Sequence, residues 1–331
     1  MNASVPLRLL ALEQMAGSRI LEGRFHSMAI PNSLAVTQGK GGVGKTTVVA
    51  NLAGLFAAAG YRVLVAEFDP QGNLCRDFGY EKQSGEELLM ALMSGGRPPV
   101  IKDVRHGLDV IPAGPALTDV AGMMLSRLSR GGETLGQILD KVLAPIVPDY
   151  DIVLFDTPPG DVIIGDAVLY CTSSVMIPTR ADDGSLDGLD RVAERFARAR
   201  EHNPQLRLAG MLLFAVGSRS QRLQDQVRES ITQAIPDTIA PIFNTTIRYM
   251  ESAAADARRH GLLAHELEGA TASAKKARLK ALRDKVKPPS LLLSRDATGL
   301  ADDYEALAAE VLHRLAELAD ETNRTQEGGA A

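Results

Sequence analysis

The stretch Gly39-Lys40-Gly41-Gly42-Val43-Gly44-Lys45-Thr46-Thr47 decides how this chain of 331 residues is read. It fits G-x-x-x-x-G-K-[ST] and stands between an apolar run, Leu34–Thr37, and a helical pattern, Thr46–Ala59. Strand, loop and helix in that order are the context this motif requires. The glycines let successive backbone N–H groups turn inward around phosphates, and the helix beginning near Thr46 adds its positive end. Lys45 is then placed to neutralise β- and γ-phosphate oxygens, and the Thr46 hydroxyl to ligate Mg²⁺. Residues Gly39, Lys40, Gly41, Gly42, Val43, Gly44, Lys45, Thr46 and Thr47 are the expected contacts of a nucleoside triphosphate.

Lys40 sets this loop apart from the ordinary version. A second lysine there does not easily reach the phosphates held by its own loop alongside Lys45. A partner subunit docking face to face can receive it, and Lys40 then supplies positive charge in trans as an arginine finger does. The plainer alternative is a solvated loop lysine.

Two strand-end carboxylates extend the site. Asp69 follows the run Arg62–Phe68 within Glu67-Phe68-Asp69-Pro70-Gln71-Gly72-Asn73, and Asp156 ends the apolar run Ile152–Phe155 before Thr157-Pro158-Pro159-Gly160. Doubly wound folds bind ligands at the carboxyl ends of their strands. An isolated Asp after a strand is ordinarily a turn residue; two of them beside a phosphate loop point to chemistry. One orients attacking water, and the other supports Mg²⁺ through its water shell.

Working outward, short β-rich runs alternate with helical stretches, the signature of a doubly wound, mostly parallel α/β sheet flanked by helices. Further strands are expected at Leu108–Ile111, Ser174–Ile177, Leu208–Phe214 and Ile239–Phe243, and further helices at Glu133–Leu143, Leu186–Arg200 and Arg222–Ala234. Residues 1–32 read as an N-terminal extension closed by a break at Pro31-Asn32, and 33–269 as the nucleotide-binding domain. A basic insertion spans 270–299, a C-terminal helix 300–320 and a polar tail 321–331. With 45% apolar and 23% charged residues, the composition excludes wholesale disorder. Two distant cysteines, Cys75 and Cys171, exclude a disulfide framework and a cysteine-rich metal site. No apolar run approaches the ~18 residues of a spanning helix. The extension lacks a clear cleavage pattern, so a cytosolic protein is expected.

These residues together resemble the ParA/MinD group of deviant Walker P-loop ATPases, and within it the short ParA partition ATPases. Lys40 to Thr47 matches the signature loop, Asp69 to Asn73 its D-P-Q-G-N, and Asp156 to Pro159 its D-x-P-P. Ile177-Pro178 and Leu186-Asp187-Gly188-Leu189 look like the family's I-P and A-L-E-G-L segments. Ile247 to Ala253 is similar to V-R-L-S-E-A-P, and Tyr304 to Val311 to the closing Y-x-x-L-A-x-E-V helix. The chain departs from the pattern at Asn244, where the family has proline, at Phe214-Ala215-Val216-Gly217, and in the long stretch from Thr271 to Thr298.

The resemblance implies a Mg²⁺-dependent ATPase with slow basal turnover, in which Lys40, Lys45 and Asp69 are catalytic and Thr46 and Asp156 serve the metal. It implies an ATP-dependent homodimer that binds double-stranded DNA without sequence preference, on the nucleoid, and a ParB-like partner that stimulates hydrolysis and releases the DNA. Arg219 and Arg248 fall where the family places DNA-contacting arginines, though both could be ordinary solvated residues. Lys275, Lys276 and Lys280 lie in a run with a net charge of about +6, followed by Pro288-Pro289. That run can be a solvated helix, a supplementary DNA contact or a membrane-surface helix; the second is favoured, because the run would join the ATPase body to its last helix near those arginines. A MinD-like membrane-positioning ATPase is the main rival. It is disfavoured because the last helix is acidic, whereas such anchors are basic.

Overall fold

A computed structural model describes residues 29–180, 194–216, 242–284 and 298–328. Its centre is one sheet of eight strands in the order β3-β4-β2-β5-β1-β6-β7-β8. The strands are β1 (Ile30–Val36), β2 (Val63–Glu67), β3 (Ile101–Arg105), β4 (Leu108–Ile111), β5 (Ile152–Asp156), β6 (Thr172–Thr179), β7 (Arg207–Val216) and β8 (Ile242–Arg248). Every pairing is parallel except β3 with β4, which form an antiparallel edge. Both β2 and β5 are buried along their whole length, as expected when helices cover both faces of a sheet.

On one face lie α1 (Lys45–Ala58), α2 (Leu74–Phe78), α7 (Glu251–His260), α8 (Ala264–Arg283) and α9 (Thr298–Gly328). On the other lie α3 (Glu86–Ser94), α4 (Val120–Leu128), α5 (Leu135–Leu143), α6 (Val162–Cys171) and the helical residues 194–202. Helix α9 shows how sequence makes the packing. Tyr304, Leu307, Ala308, Val311, Leu315 and Leu318 recur at helical spacing and are all buried, while Asp302, Glu305 and Glu317 stay outside that stripe. Thr134 caps α5 with a reciprocal bond pair to Gln137, so the helix starts at Leu135 and not at Glu133.

Several expectations change. Pro31-Asn32 does not precede the sheet; both residues lie inside β1, exposed, where the register with β6 shifts and Asn32 takes a φ of 50°. A proline and an asparagine at a bulge mimic a linker in sequence. The boundary at Gly269 falls within α8, which is continuous from Ala264 to Arg283, and α9 runs on into the expected tail. Strand β8 passes Phe243 and continues through Asn244 to Arg248. Strand β3 and helices α2, α3, α4 and α6 were not anticipated. Lys102, Asp103 and Arg105 disguise β3, which is the charged edge that shields a sheet from further pairing. The expected helix Arg222–Ala234 and most of Leu186–Arg200 lie outside the described residues.

Candidate functional site

The parallel register assembles the site. Val36, at the end of β1, pairs with Asp156 of β5, and Asp156 pairs with Glu67 of β2. Partners in register project to the same side of a sheet, and Asp69 lies two residues beyond Glu67, so three carboxylates gather where β1 delivers its loop. The Phe68 N–H donates to the Asp156 carbonyl at 2.9 Å, and the Thr157 hydroxyl to the Val36 carbonyl at 2.8 Å, which fixes the strand ends against one another.

The loop from Gly39 to Gly42 is exposed, whereas Val43 is fully buried and anchors it. Gly44 is the turning point, with a φ of 86°, and a Cβ there would fall 2.2 Å from the Phe214 ring. Both the left-handed backbone and the close aromatic demand glycine. Lys45 opens α1 and is buried; its ammonium donates to the Gln38 carbonyl at 3.1 Å and to the Lys40 carbonyl at 3.4 Å. Burial pushes its pKa down, opposed by the charges of Asp156 and Asp69. The Lys40 side chain, in contrast, is exposed on the rim. Across the loop, Gly160 takes a φ of 71° and its Cβ position lies 3.8 Å from the Gly39 carbonyl, so the Thr157-Pro158-Pro159-Gly160 segment closes one wall.

Asp156 is fully buried, and neither of its carboxylate oxygens has a hydrogen-bond partner of ordinary geometry. Burial raises its pKa well above the usual range, Glu67 adds to the rise, and the nearby Thr46 hydroxyl opposes it. A buried carboxylate left open beside a helix-initial hydroxyl fits a hydrated divalent cation, which would supply both oxygens with donors. Asp69 is also buried; its Oδ1 accepts from the Gln71 N–H at 2.9 Å, and burial raises its pKa against the pull of that bond and of Lys45.

Glu67 and Arg258 join the site without having been singled out. The Glu67 carboxyl is completely buried and accepts from the Leu74 N–H at 2.9 Å, the Ala113 N–H at 3.1 Å and the Tyr80 hydroxyl at 3.4 Å. Desolvation lifts its pKa to about 7. Arg258, on α7, donates to the Thr47 hydroxyl at 3.0 Å and stands 4.0 Å from the buried Asp77. Glu67 was visible in the motif, but its partners lie up to 46 residues away. Nothing in the sequence near Arg258 connects it with Thr47.

Among the described residues, the expected DNA contacts do not converge on this pocket. Arg219 lies outside the described residues. Arg248 ends β8 and is held by Asp303 of α9, donating from Nε and Nη2 at 2.7 Å each. Lys275, Lys276 and Lys280 are exposed on the carboxyl-terminal half of α8, where Lys276, Lys280 and Arg283 recur at i, i+4 and i+7.

Comparisons with known proteins agree with this geometry. A family model described as an AAA domain matches residues 32–208. The chromosome partitioning protein ParA of Caulobacter vibrioides is 31% identical over 215 residues, covering 63% of this chain and 79% of its own. Among solved structures, an ATP complex of McdA from Cyanothece superposes with a TM-score of 0.64 at 20% identity, over 86% of this chain and 97% of that one. The septum site-determining protein MinD of Pyrococcus horikoshii, complexed with Mg-ADP, superposes with a TM-score of 0.57 at 19% identity, over 85% and 96%. At these identities the two structures speak for the fold.

Proposed function

Since the chain belongs to the ParA-type P-loop ATPases, we propose that it is a Mg²⁺-dependent partition ATPase whose ATP-bound dimer holds DNA without sequence preference. The observation that carries this reading is the convergence of Lys45, Asp69 and Asp156 at the carboxyl ends of β1, β2 and β5, beside a phosphate loop that opens a helix.

Each residue then has a task. The loop amides and Lys45 take the phosphates, and Lys45 stabilises charge that develops on the transferred group. The Thr46 hydroxyl and, through water, Asp156 would hold Mg²⁺, which neutralises phosphate charge when bound. Asp69 sits in a partly desolvated position that suits orienting water, and positioning of this kind provides much of the rate in phosphoryl transfer. Lys40, exposed on the rim, serves the triphosphate of a second subunit. A ParB-like partner raises a slow basal rate and thereby ends DNA binding, which would keep the protein on the nucleoid while ATP lasts.

The membrane-positioning alternative has less support. No described helix is long and apolar enough to cross a membrane, and the apolar stripe of α9 is occupied by the core. The test is Asp69→Ala assayed with ATP and Mg²⁺. The variant should bind ATP with near wild-type affinity, hydrolyse it at least tenfold more slowly, and remain on DNA longer. Wild-type turnover would remove Asp69 from its role, and equal DNA retention in ATP and ADP would overturn the partition reading.

A further inference from the structure

Glu67 ends β2 with no exposed surface, and the three groups that donate to it are all neutral. Burying a carboxyl carries a penalty that an apolar side chain filling the same space would not incur. The position of its donors shows what the carboxyl does there.

The donors stand on opposite sides of the segment that carries Asp69. Leu74, the first residue of α2, gives its N–H to Oε1, and Ala113, beyond β4, gives its N–H to Oε2. Asn73, which precedes α2, makes no side-chain cap, so Glu67 reaches from β2 to take one of the free amides of that helix start. Inside the segment thus closed, the Gly72 N–H donates to the Asp69 carbonyl at 2.9 Å, and the Gln71 N–H to Asp69 Oδ1 at 2.9 Å. Gly72 takes a φ of 57°, and a Cβ there would fall 3.0 Å from the Ala113 carbonyl. Ala113 therefore meets the turn of Asp69 with its carbonyl while Glu67 fixes its N–H.

We infer that Glu67 is a positioning residue of the ATPase site. By holding the Leu74 and Ala113 amides on separate oxygens, it seats the turn 69–72 against the chain beyond β4 and sets the place of the Asp69 carboxylate. Glu67 acts through Asp69 and not on the nucleotide. The inference rests on the water-orienting role proposed for Asp69 and names the group that keeps its geometry. Such geometry matters, because a misplacement of about 1 Å can cost on the order of a hundredfold in rate.

The experiment uses the full chain and reads hydrogen exchange without nucleotide beside turnover with ATP and Mg²⁺. Glu67→Gln keeps the side-chain volume but turns an NH2 toward one of the two amides. Exchange at Gln71 and Gly72 should quicken at least tenfold relative to the amides of β5, which report global opening. Turnover at saturating ATP should fall at least tenfold, while the affinity of a fluorescent ATP analogue stays within threefold of wild type. A side chain that only stabilised the fold would leave turnover per folded molecule unchanged. Glu67→Gln combined with Asp69→Ala should be no slower than Asp69→Ala alone, because nothing is left to position once that carboxylate is gone. If Glu67→Gln does not fold, Gly72→Ala makes the same test, since it pushes the turn off the Ala113 carbonyl and leaves Glu67 intact. It should give the same split between turnover and affinity. Unchanged exchange at Gln71 and Gly72, or a further tenfold loss in the double variant, would overturn the inference. Wild-type turnover in Asp69→Ala would overturn the reading of Asp69 as well. Slow turnover in Asp69→Ala beside full turnover in Glu67→Gln would overturn this inference alone.

Discussion

The guanidinium of Arg258 donates to the hydroxyl of Thr47 at 3.0 Å across 211 residues of sequence, joining α7 to the first turn of the phosphate-loop helix. The same side chain stands 4.0 Å from Asp77, a buried carboxyl on the helix that follows Asp69. Arg258 thus ties the first turn of α1 to α2, the helix that follows Asp69. Replacing it with Gln should weaken a fluorescent ATP analogue about three- to tenfold, a change of about 1 kcal/mol on the affinity scale. Its side chain is half exposed, so melting should shift little. Unchanged affinity would reduce the contact to a surface brace.

Glu67 predicts a pH dependence. Its folded pKa, about 7, lies above the ordinary value because burial disfavours the anion. Between about pH 4.5 and 7 the folded chain therefore binds a proton that the unfolded chain has released. Stability from this group is complete below that window and is lost as the pH rises through it, at a total cost on the order of 3 kcal/mol. Glu67→Gln should flatten the decline in chemical-denaturation curves between pH 5 and 7.5. It should also be less stable than wild type at pH 5 by about 1–3 kcal/mol, because the Leu74 and Ala113 amides donate to different oxygens and the NH2 of glutamine would face one of them. Parallel curves for the two proteins across that range would show that Glu67 stays ionised.

Much of the fold was legible in sequence, for a definable reason. Strands β2, β4 and β5 are apolar runs because helices cover both faces, and α1 is announced by the loop that caps it. Helix α6 escaped because it is apolar on nearly every side, so no stripe at helical spacing marks it. Its one local signal is Asp161, whose side chain accepts from the Ile164 N–H at the cap. In the site, the loop and Asp156 were readable because their chemistry requires a fixed order of residue types. Glu67 and Arg258 were not, since what defines them is a partner brought close only by the sheet.

For DNA, the exposed lysines of α8 make a stronger claim than Arg248. The pair between Arg248 and Asp303 fastens β8 to α9, and a DNA phosphate must compete with that carboxylate. Changing Lys275, Lys276 and Lys280 together to Gln should lessen the slope of log affinity against log salt by up to about 2.7, near 0.9 for each phosphate no longer neutralised. Arg248→Ala should change the slope by no more than about 0.9, the share of a single phosphate. It should also lower the melting temperature by a few degrees. An unaltered slope in the triple variant would return α8 to a solvated basic helix.

Lys40 gives the sharpest test of assembly. Lys45 is buried against its own loop carbonyls, whereas Lys40 is exposed on the rim of the loop, where the proposed dimer would bring it the triphosphate of a facing subunit. If its charge acts in trans, each subunit stabilises the other's γ-phosphate, and the dimer weakens when that phosphate leaves. Lys40→Ala should bind a slowly hydrolysed ATP analogue within about threefold of wild type, because Lys45 and the loop amides are intact. Light scattering should nevertheless find it monomeric at concentrations where wild type is dimeric, and its turnover should fall at least tenfold. A variant that dimerised as wild type does would confine Lys40 to its own loop, and the second subunit would have no direct part in hydrolysis.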